Sequence, residues 1–528
     1  MVGLAGLAIS VLLAAGLGAT AAQAPTDGGA KPAPEPAARS PGGAATEISS
    51  SIVLAVPTDY LLNGSGRSTC MDMVDRASQY RIKRLQFVPT LFWVDEGPLD
   101  PPTGFDPSCK TADFLASYYC YDRFNATRVK YFCYDRDKCT GPPGQADIAR
   151  FRDSLKACMQ LAVSRGHDLS VNMHVDDATK GGLGGWRNTL LFSPLQQFSG
   201  LSYVDVVLNP IADAIAGAVG PSTQVWLTMQ GEMGATVFFY SKDWQQVAAD
   251  MRTRIAGGGA GRQAGRAGTS QQGRVHIGLG INNAKLCGCI LVPIVDQREY
   301  LARFPAAFEA VKGEFDLPAI QSLFNAIDYV GLSAYIPQSD IHFQPCDLEG
   351  LMSRLDQEFT FYGLTLKGLL AAGKEIHWSE FGVGGGTSPQ GDQKAATAEE
   401  AAYTPFFGMS GAYTRAKDPF ILYDLSQPSP VRDYARYFYN QTAAYLRQGG
   451  CDYRVAHVYI WNLPSWDVQV GGRCRRGNTD RQHQGMAWKP RGVAHVWSSR
   501  QAEALAALPQ HILAGAVPAV HHQRGELP

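Results

Sequence analysis

The chain has almost no charge imbalance: 47 basic residues face 48 acidic ones, and only 18% of its 528 residues are charged. Such a surface offers no basic stripe for nucleic acid and no cationic patch for an anionic membrane, so neither is an expected partner. Paired CxxC motifs are also missing. The four cysteines of "CKTADFLASYYCYDRFNATRVKYFCYDRDKC", residues 109–139, are separated by 10, 12 and 5 residues. That spacing does not suit zinc, and disulfides stapling a long excursion are the expectation. "HVDD", residues 174–177, is another metal candidate, but no second His or Cys cluster completes it. No metal and no cofactor are expected.

A basic segment ahead of the first apolar run is absent too. Residues 1–24, "MVGLAGLAISVLLAAGLGATAAQA", end in Ala22-Gln23-Ala24, the small-x-small pattern of signal cleavage. The reading is a secretion signal, with an uncleaved anchor as the alternative because the run approaches the roughly 20 residues of a membrane span. Residues 25–48 are Pro-, Ala- and Gly-rich and form a flexible linker. The 11 cysteines fit export, and their odd number leaves at least one thiol free or paired between chains. Asn63, Asn125 and Asn440 head sequons that a eukaryotic host would glycosylate. The expectation is an extracellular monomer with no membrane contact after cleavage. Its tail, residues 501–528, carries no readable role.

Between 49 and 500, strand-like runs alternate with helical ones, the pattern of βα units. The strand candidates are "SIVLAVPT" (51), "RLQFVPTLFWV" (84), "DLSVNMHV" (168), "QVWLTMQG" (224), "VHIGLGIN" (275), "IDYVGLSAY" (327), "EIHWSEFG" (375) and "VAHVYIWN" (455). Eight strands with intervening helices predict an α/β fold: a single (β/α)8 TIM barrel with long mouth loops and a cysteine-rich insertion after strand two. Helices are expected at "DIARFRDSLKACMQLAVSRG", "DWQQVAADMRTRIA" and "VRDYARYFYNQTAAYLRQGG".

Strand parity separates an outward from an inward set. In the fourth strand Val225, Leu227 and Met229 face out, against Trp226, Thr228, Gln230 and Glu232. The sixth places Gly331, Ser333 and Tyr335 inward, and the eighth His457, Tyr459 and Trp461. The seventh is less regular: alternation puts Ile376, Trp378 and Glu380 inward and leaves Glu375 and His377 outward.

Glu232 and Glu380 thus stand at strand ends on the face where barrels carry their active sites. Retaining glycoside cleavage needs such a pair, about 5–5.5 Å apart, one carboxyl protonating the leaving oxygen while the other attacks the anomeric carbon. Trp461, Trp186 and Trp93 offer flat faces for sugar rings, and His174, Asn282 and Tyr335 offer hydrogen bonds to hydroxyls.

The set "MQGE" (229–232), "VGLSAY" (330–335), "HWSEFG" (377–382) and "VYIWN" (458–462) resembles the clan of retaining glycoside hydrolases with catalytic Glu on strands four and seven. Within it, "ACMQLAVSRGHDLSVNMHVDD", "GGWRNTL" and "IDYVGLSAYIP" are similar to the family 113 β-mannanases and their galactanase-like relatives, over roughly residues 85–465. The resemblance implies Glu232 as acid/base, Glu380 as nucleophile, Tyr335 as the nucleophile's hydrogen-bond donor and Trp461 as the floor of the cleavage subsite. The implied substrate is a β-linked polysaccharide or oligosaccharide: mannan first, β-glucan or β-galactan as alternatives. One position departs from the clan. Gly231 stands where an Asn usually engages the sugar 2-hydroxyl, so either Gln230 or Asn282 compensates, or activity is altered or lost. A catalytically inert glycan-binding barrel is the reading from another class.

Overall fold

The computed structural model describes residues 45–79, 82–95, 128–178, 187–257, 274–282, 286–289, 297–382, 397–403 and 430–461. The expected signal, most of the linker, Trp186, Asn125 and the C-terminal tail lie outside the described residues. Twelve strands run through them: β1 (Glu47–Leu54), β2 (Arg84–Asp95), β3 (Val129–Cys133), β4 (Asp168–Asn172), β5 (His174–Asp177), β6 (Gln197–Phe198), β7 (Leu201–Ser202), β8 (Val225–Thr228), β9 (Val275–Ile281), β10 (Tyr329–Ala334), β11 (Glu375–Phe381) and β12 (Val455–Ile460).

Eight of these close a parallel ring in the order β1, β2, β4, β8, β9, β10, β11, β12. The seam is the β12–β1 pairing, with Glu47 opposite His457. With helices between the strands, this is a (β/α)8 barrel, and every expected strand is present. β1 opens at Glu47 rather than Ser51. The third expected strand is interrupted at Met173, and its continuation β5 pairs with the far end of β2. β3 runs antiparallel to that same end and ties the excursion after the second barrel strand to the ring.

Parallel strands are covered on both faces, and β8 and β10 are buried throughout. Their outward residues, Val225, Leu227, Val330 and Leu332, join the helices in one core cluster. Each such side chain contributes about 1.5–3 kcal/mol, so the layer between strands and helices dominates the barrel's stability. The inward residues near the N-terminal strand ends are polar and aromatic instead. Arg84 sits 3.2 Å above the Trp226 ring, Trp226 stacks on His276 at 4.8 Å, and Tyr329 stacks on His377 at 4.2 Å. Gln86 donates to the Ser51 hydroxyl and the Ser379 carbonyl, both at 2.8 Å. The lumen is a packed layer of stacked rings and polar groups, in which Arg84 Nε, Gln86 Oε1, Trp226 Nε1 and His377 Nδ1 are buried without a hydrogen-bond partner.

The seventh strand corrects the alternation read from sequence. His377 lies inside the barrel beside Tyr329 and His457, and Glu375 reaches the same place. Trp378 faces outward and stacks on Tyr445 of the helix Pro430–Arg447 at 5.4 Å. Trp378 pairs with Leu332 and Glu380 with the next residue, Ser333, so Ser379 is a β-bulge. The extra residue turns Glu380 inward although Trp378 points out.

The three expected helices form as Gln145–Ser164, Ser241–Ala256 and Pro430–Arg447. Gly166 ends the first with φ 87°, the left-handed cap that glycine takes without penalty. Disulfides join Cys70–Cys158, Cys133–Cys139, Cys287–Cys289 and Cys346–Cys451. One of these closes within the cysteine-rich excursion, whose Cys109 and Cys120 lie outside the described residues. Asn63 and Asn440 are exposed.

Candidate active site

Regular pairing of β8 ends at Thr228, but the chain stays bonded to β9: Met229 donates to the Gly278 carbonyl, Gly280 to that of Gln230, and Glu232 to that of Gly280. This tether brings Glu232 to the barrel mouth with φ 61°. For a residue with a side chain, that left-handed conformation costs on the order of 1 kcal/mol or more. The carboxyl it displays is 4% exposed. Asn282, just past β9, donates to Glu232 Oε1 at 2.9 Å, and Arg187 approaches Oε2 through Nε at 3.1 Å and Nη2 at 3.0 Å. The Ser333 hydroxyl adds a hydrogen bond. Burial pushes the Glu232 pKa up, Arg187 opposes it, and the charge of Glu380 pushes it further.

Glu380 is 3% exposed and accepts from the Tyr335 hydroxyl through Oε2 at 3.2 Å. Its Oε1 lies 2.7 Å from His174 Nε2. A proton at that separation belongs either to the imidazole or to the Glu380 carboxyl, and Asn172 Nδ2 lies 3.2 Å from the same Nε2. Burial holds His174 down at about 3, so it is neutral at any ordinary pH, and burial lifts Glu380 to about 7. Two enclosed carboxyls share one mouth, and each is easier to protonate than a free carboxylate. Because they perturb one another, they titrate as a pair.

Seven of the eight candidate residues lie among the described residues at this end of the barrel: the two carboxyls, four residues that surround them, and Gln230. His174 stacks on Trp461 at 5.5 Å, so both flank Glu380. Asn282 and Tyr335 each hold one carboxyl. Gln230 is placed differently: fully buried, it donates to the Gly280 carbonyl at 2.9 Å and accepts from the Met233 N–H at 2.6 Å. It stitches the strand end and has no side-chain atom left for a ligand. Trp186 is outside the described residues. Trp93 is 2% exposed in the core cluster and offers no face to a sugar.

Gly231 has a steric explanation. A Cβ there would come within 2.4 Å of His174 Cδ2 and 2.7 Å of both Nε2 and the Met173 carbonyl oxygen. The imidazole occupies the space that a side chain at 231 would need. Neither Gln230 nor Asn282 is free to replace the missing amide, whereas His174 stands beside Glu380.

Sequence reasoning missed Arg187 and Asp176. Arg187 pairs with Asp176 as well as Glu232, and its charge reaches Glu380. It immediately follows Trp186 in "GGWRNTL", but a single Arg in a loop carries no periodic signal. Asp176 belongs to the "HVDD" stretch, and its partner is a guanidinium. The described group with metal-ligand character, Glu375, His377 and His457, lies near the opposite strand ends.

No family model and no curated protein matches the chain. Solved structures similar to it include a GH113 β-1,4-mannanase (TM-score 0.37, 10% identity, 80% of this chain and 90% of that one). A GH113 β-mannanase from Alicyclobacillus acidocaldarius follows at TM-score 0.33 and 12% identity, over 80% and 87% of the two chains. A β-mannanase from the blue mussel Mytilus edulis has TM-score 0.31 and 9% identity, over 80% and 88%. The chain is therefore weakly similar to these barrels; at such scores the likeness assigns no activity, and a functional reading has to stand on the side chains.

Proposed function

We propose that the chain is a retaining β-glycosidase in which Glu232 is the acid/base and Glu380 the nucleophile. The observation that carries this reading is the convergence of two buried carboxyls, from β8 and β11, on one mouth with separate hydrogen-bond partners. Tyr335 donates to Glu380 and Arg187 lends it positive charge, and both favour its attacking anion, while burial and the neighbouring charge raise the Glu232 pKa toward its acid role. Glu380 attacks the anomeric carbon as Glu232 protonates the departing oxygen. Glu232 then deprotonates the water that releases the sugar with retained configuration. His174 fills the space at Gly231 where the usual amide would stand, and Trp461 lies under the ring.

The substrate class is a β-linked polysaccharide, with β-mannan first and β-galactan or β-glucan next. Export fits four disulfides, and no helix among the described residues is long and apolar enough to cross a membrane. The test is hydrolysis of a β-mannan, β-galactan and β-glucan panel, followed by azide rescue on an activated aryl glycoside. Glu380→Ala should yield the inverted glycosyl azide and Glu232→Ala the retained one, each mutant being slowed by several orders of magnitude without azide. Hydrolysis unaffected by either substitution would remove the assignment. Binding of a glycan without any turnover would favour an inert barrel.

A further inference from the structure

We propose that Glu375, His377 and His457 form a divalent transition-metal site, zinc by preference, at the N-terminal end of the barrel, where it clamps β11 to β12 beside the closing seam. Residues 375 and 377 are two apart on β11 and share its inward face, and His457 of β12 is directly opposite His377 in the register. One donor atom from each lies within 4.8 Å of the others. Glu375 Oε2 is 2.8 Å from His377 Nε2 and 3.6 Å from His457 Nε2. Two imidazoles and one carboxylate are a three-residue zinc donor set, and the fourth position is left for water. Glu375, with its side chain 41% exposed, opens that position to solvent, while His377 is buried.

The other side of His457 carries the argument further. Its Nδ1 faces Glu47 Oε2 of β1 at 3.7 Å, so the ring stands between two carboxylates. A neutral imidazole has one N–H. Pointed at either carboxylate, it leaves the lone pair of the other nitrogen facing a second negative oxygen. A cation between Nε2 and Glu375 removes that conflict: Nδ1–H donates to Glu47, Nε2 donates its lone pair to the metal, and Glu375 becomes a ligand. A carboxylate behind a metal-bound histidine is the usual outer-shell arrangement. Arg84, 3.4 Å from Glu47, offsets that outer carboxylate, and its charge also reaches His377 and His457, so the carboxylate of Glu375 has to supply the negative charge that holds the cation. The site is about three strand residues from Glu380, on the order of 10 Å along β11, and is independent of the proposed hydrolysis.

The test uses the full chain stripped with EDTA and titrated with Zn²⁺ and Co²⁺. One equivalent should bind and raise the unfolding temperature, and the Co²⁺ form should show the d–d bands of a four- or five-coordinate ion without thiolate charge transfer. Glu47→Gln should weaken binding by about 10–100-fold. Glu375→Gln, at a partly exposed position, should weaken it more. The absence of stoichiometric binding to the unmutated protein, a cobalt spectrum with thiolate bands, or unchanged affinity in Glu375→Gln would each overturn the site.

Discussion

At Gly231 the absence of a side chain is what admits His174 to the mouth. Gly231→Asn should therefore abolish turnover, because the new side chain meets an imidazole 2.4 Å from its Cβ and a backbone carbonyl at 2.7 Å. Overpacking of this kind costs about 1–3 kcal/mol, measurable as a lower denaturation midpoint. His174→Ala in the same chain should recover part of the stability, since the Met173 carbonyl still crowds the new Cβ, but not the activity; recovery of activity would mean that His174 has no catalytic part.

Glu380 gives a pH-dependent counterpart. Its pKa rises from 4.5 to about 7 on folding, so the folded state holds the proton more tightly. Stability from this group is complete below the unfolded pKa and is lost as pH rises through about 7. The loss amounts to about 3 kcal/mol at alkaline pH. Glu380→Gln, which cannot ionise, should be the more stable protein at pH 8 and should lack this slope in urea titrations. Activity has the opposite sign, since kcat/KM needs the Glu380 anion and should rise on the acid side as that proton leaves. Arg187 lowers both carboxyl pKa values, so Arg187→Met should move both limbs of the kcat/KM profile to higher pH. An unmoved profile would confine Arg187 to a structural part.

At the scale of elements, what places each carboxyl is a departure from regular strand geometry: an irregular, left-handed strand end for Glu232 and a bulge for Glu380. Neither departure has a signature in the residue pattern, because each depends on which residue the neighbouring strand sets opposite. The turn into β12 is held in a comparable way. Glu349 Oε1 accepts from the N–H groups of Cys451 and Tyr453 at 2.7 and 3.0 Å, and Oε2 accepts from that of Asp452 at 2.8 Å. The Tyr445 hydroxyl donates to the same carboxylate. Glu349→Ala strands several donors, at about 1–3 kcal/mol for each buried one. The predicted result is a loss of several kcal/mol in denaturant unfolding, with hydrogen exchange rising first in β12. Unchanged protection of β12 would contradict this.

At the scale of the whole molecule, the barrel is closed by one seam and its outer layer is cross-linked. Cys70–Cys158 joins the helices Thr69–Gln79 and Gln145–Ser164 across 88 residues of sequence. A loop of that length constrains the unfolded chain by about 4.6 kcal/mol. The Cys70→Ser/Cys158→Ser protein should accordingly unfold at a clearly lower temperature, while its activity below that transition stays normal.

The alternation of apolar runs with amphipathic stretches determined the eight strands, three of the helices and the strand ends on which Glu232 and Glu380 stand, because burial on the two faces of a strand or on one face of a helix is written into neighbouring residues. Tyr335 and Trp461 were legible for the same reason: strand parity brings them to the mouth. The tertiary structure alone decided that Ser379 bulges, that Gln230 bonds backbone, that His174 fills the space at Gly231, and that Arg187 joins Asp176 to Glu232. It also turned Glu375 and His377 inward toward His457. Each of these depends on contacts between residues far apart in the chain, and such contacts acquire an energy only when the ring has closed.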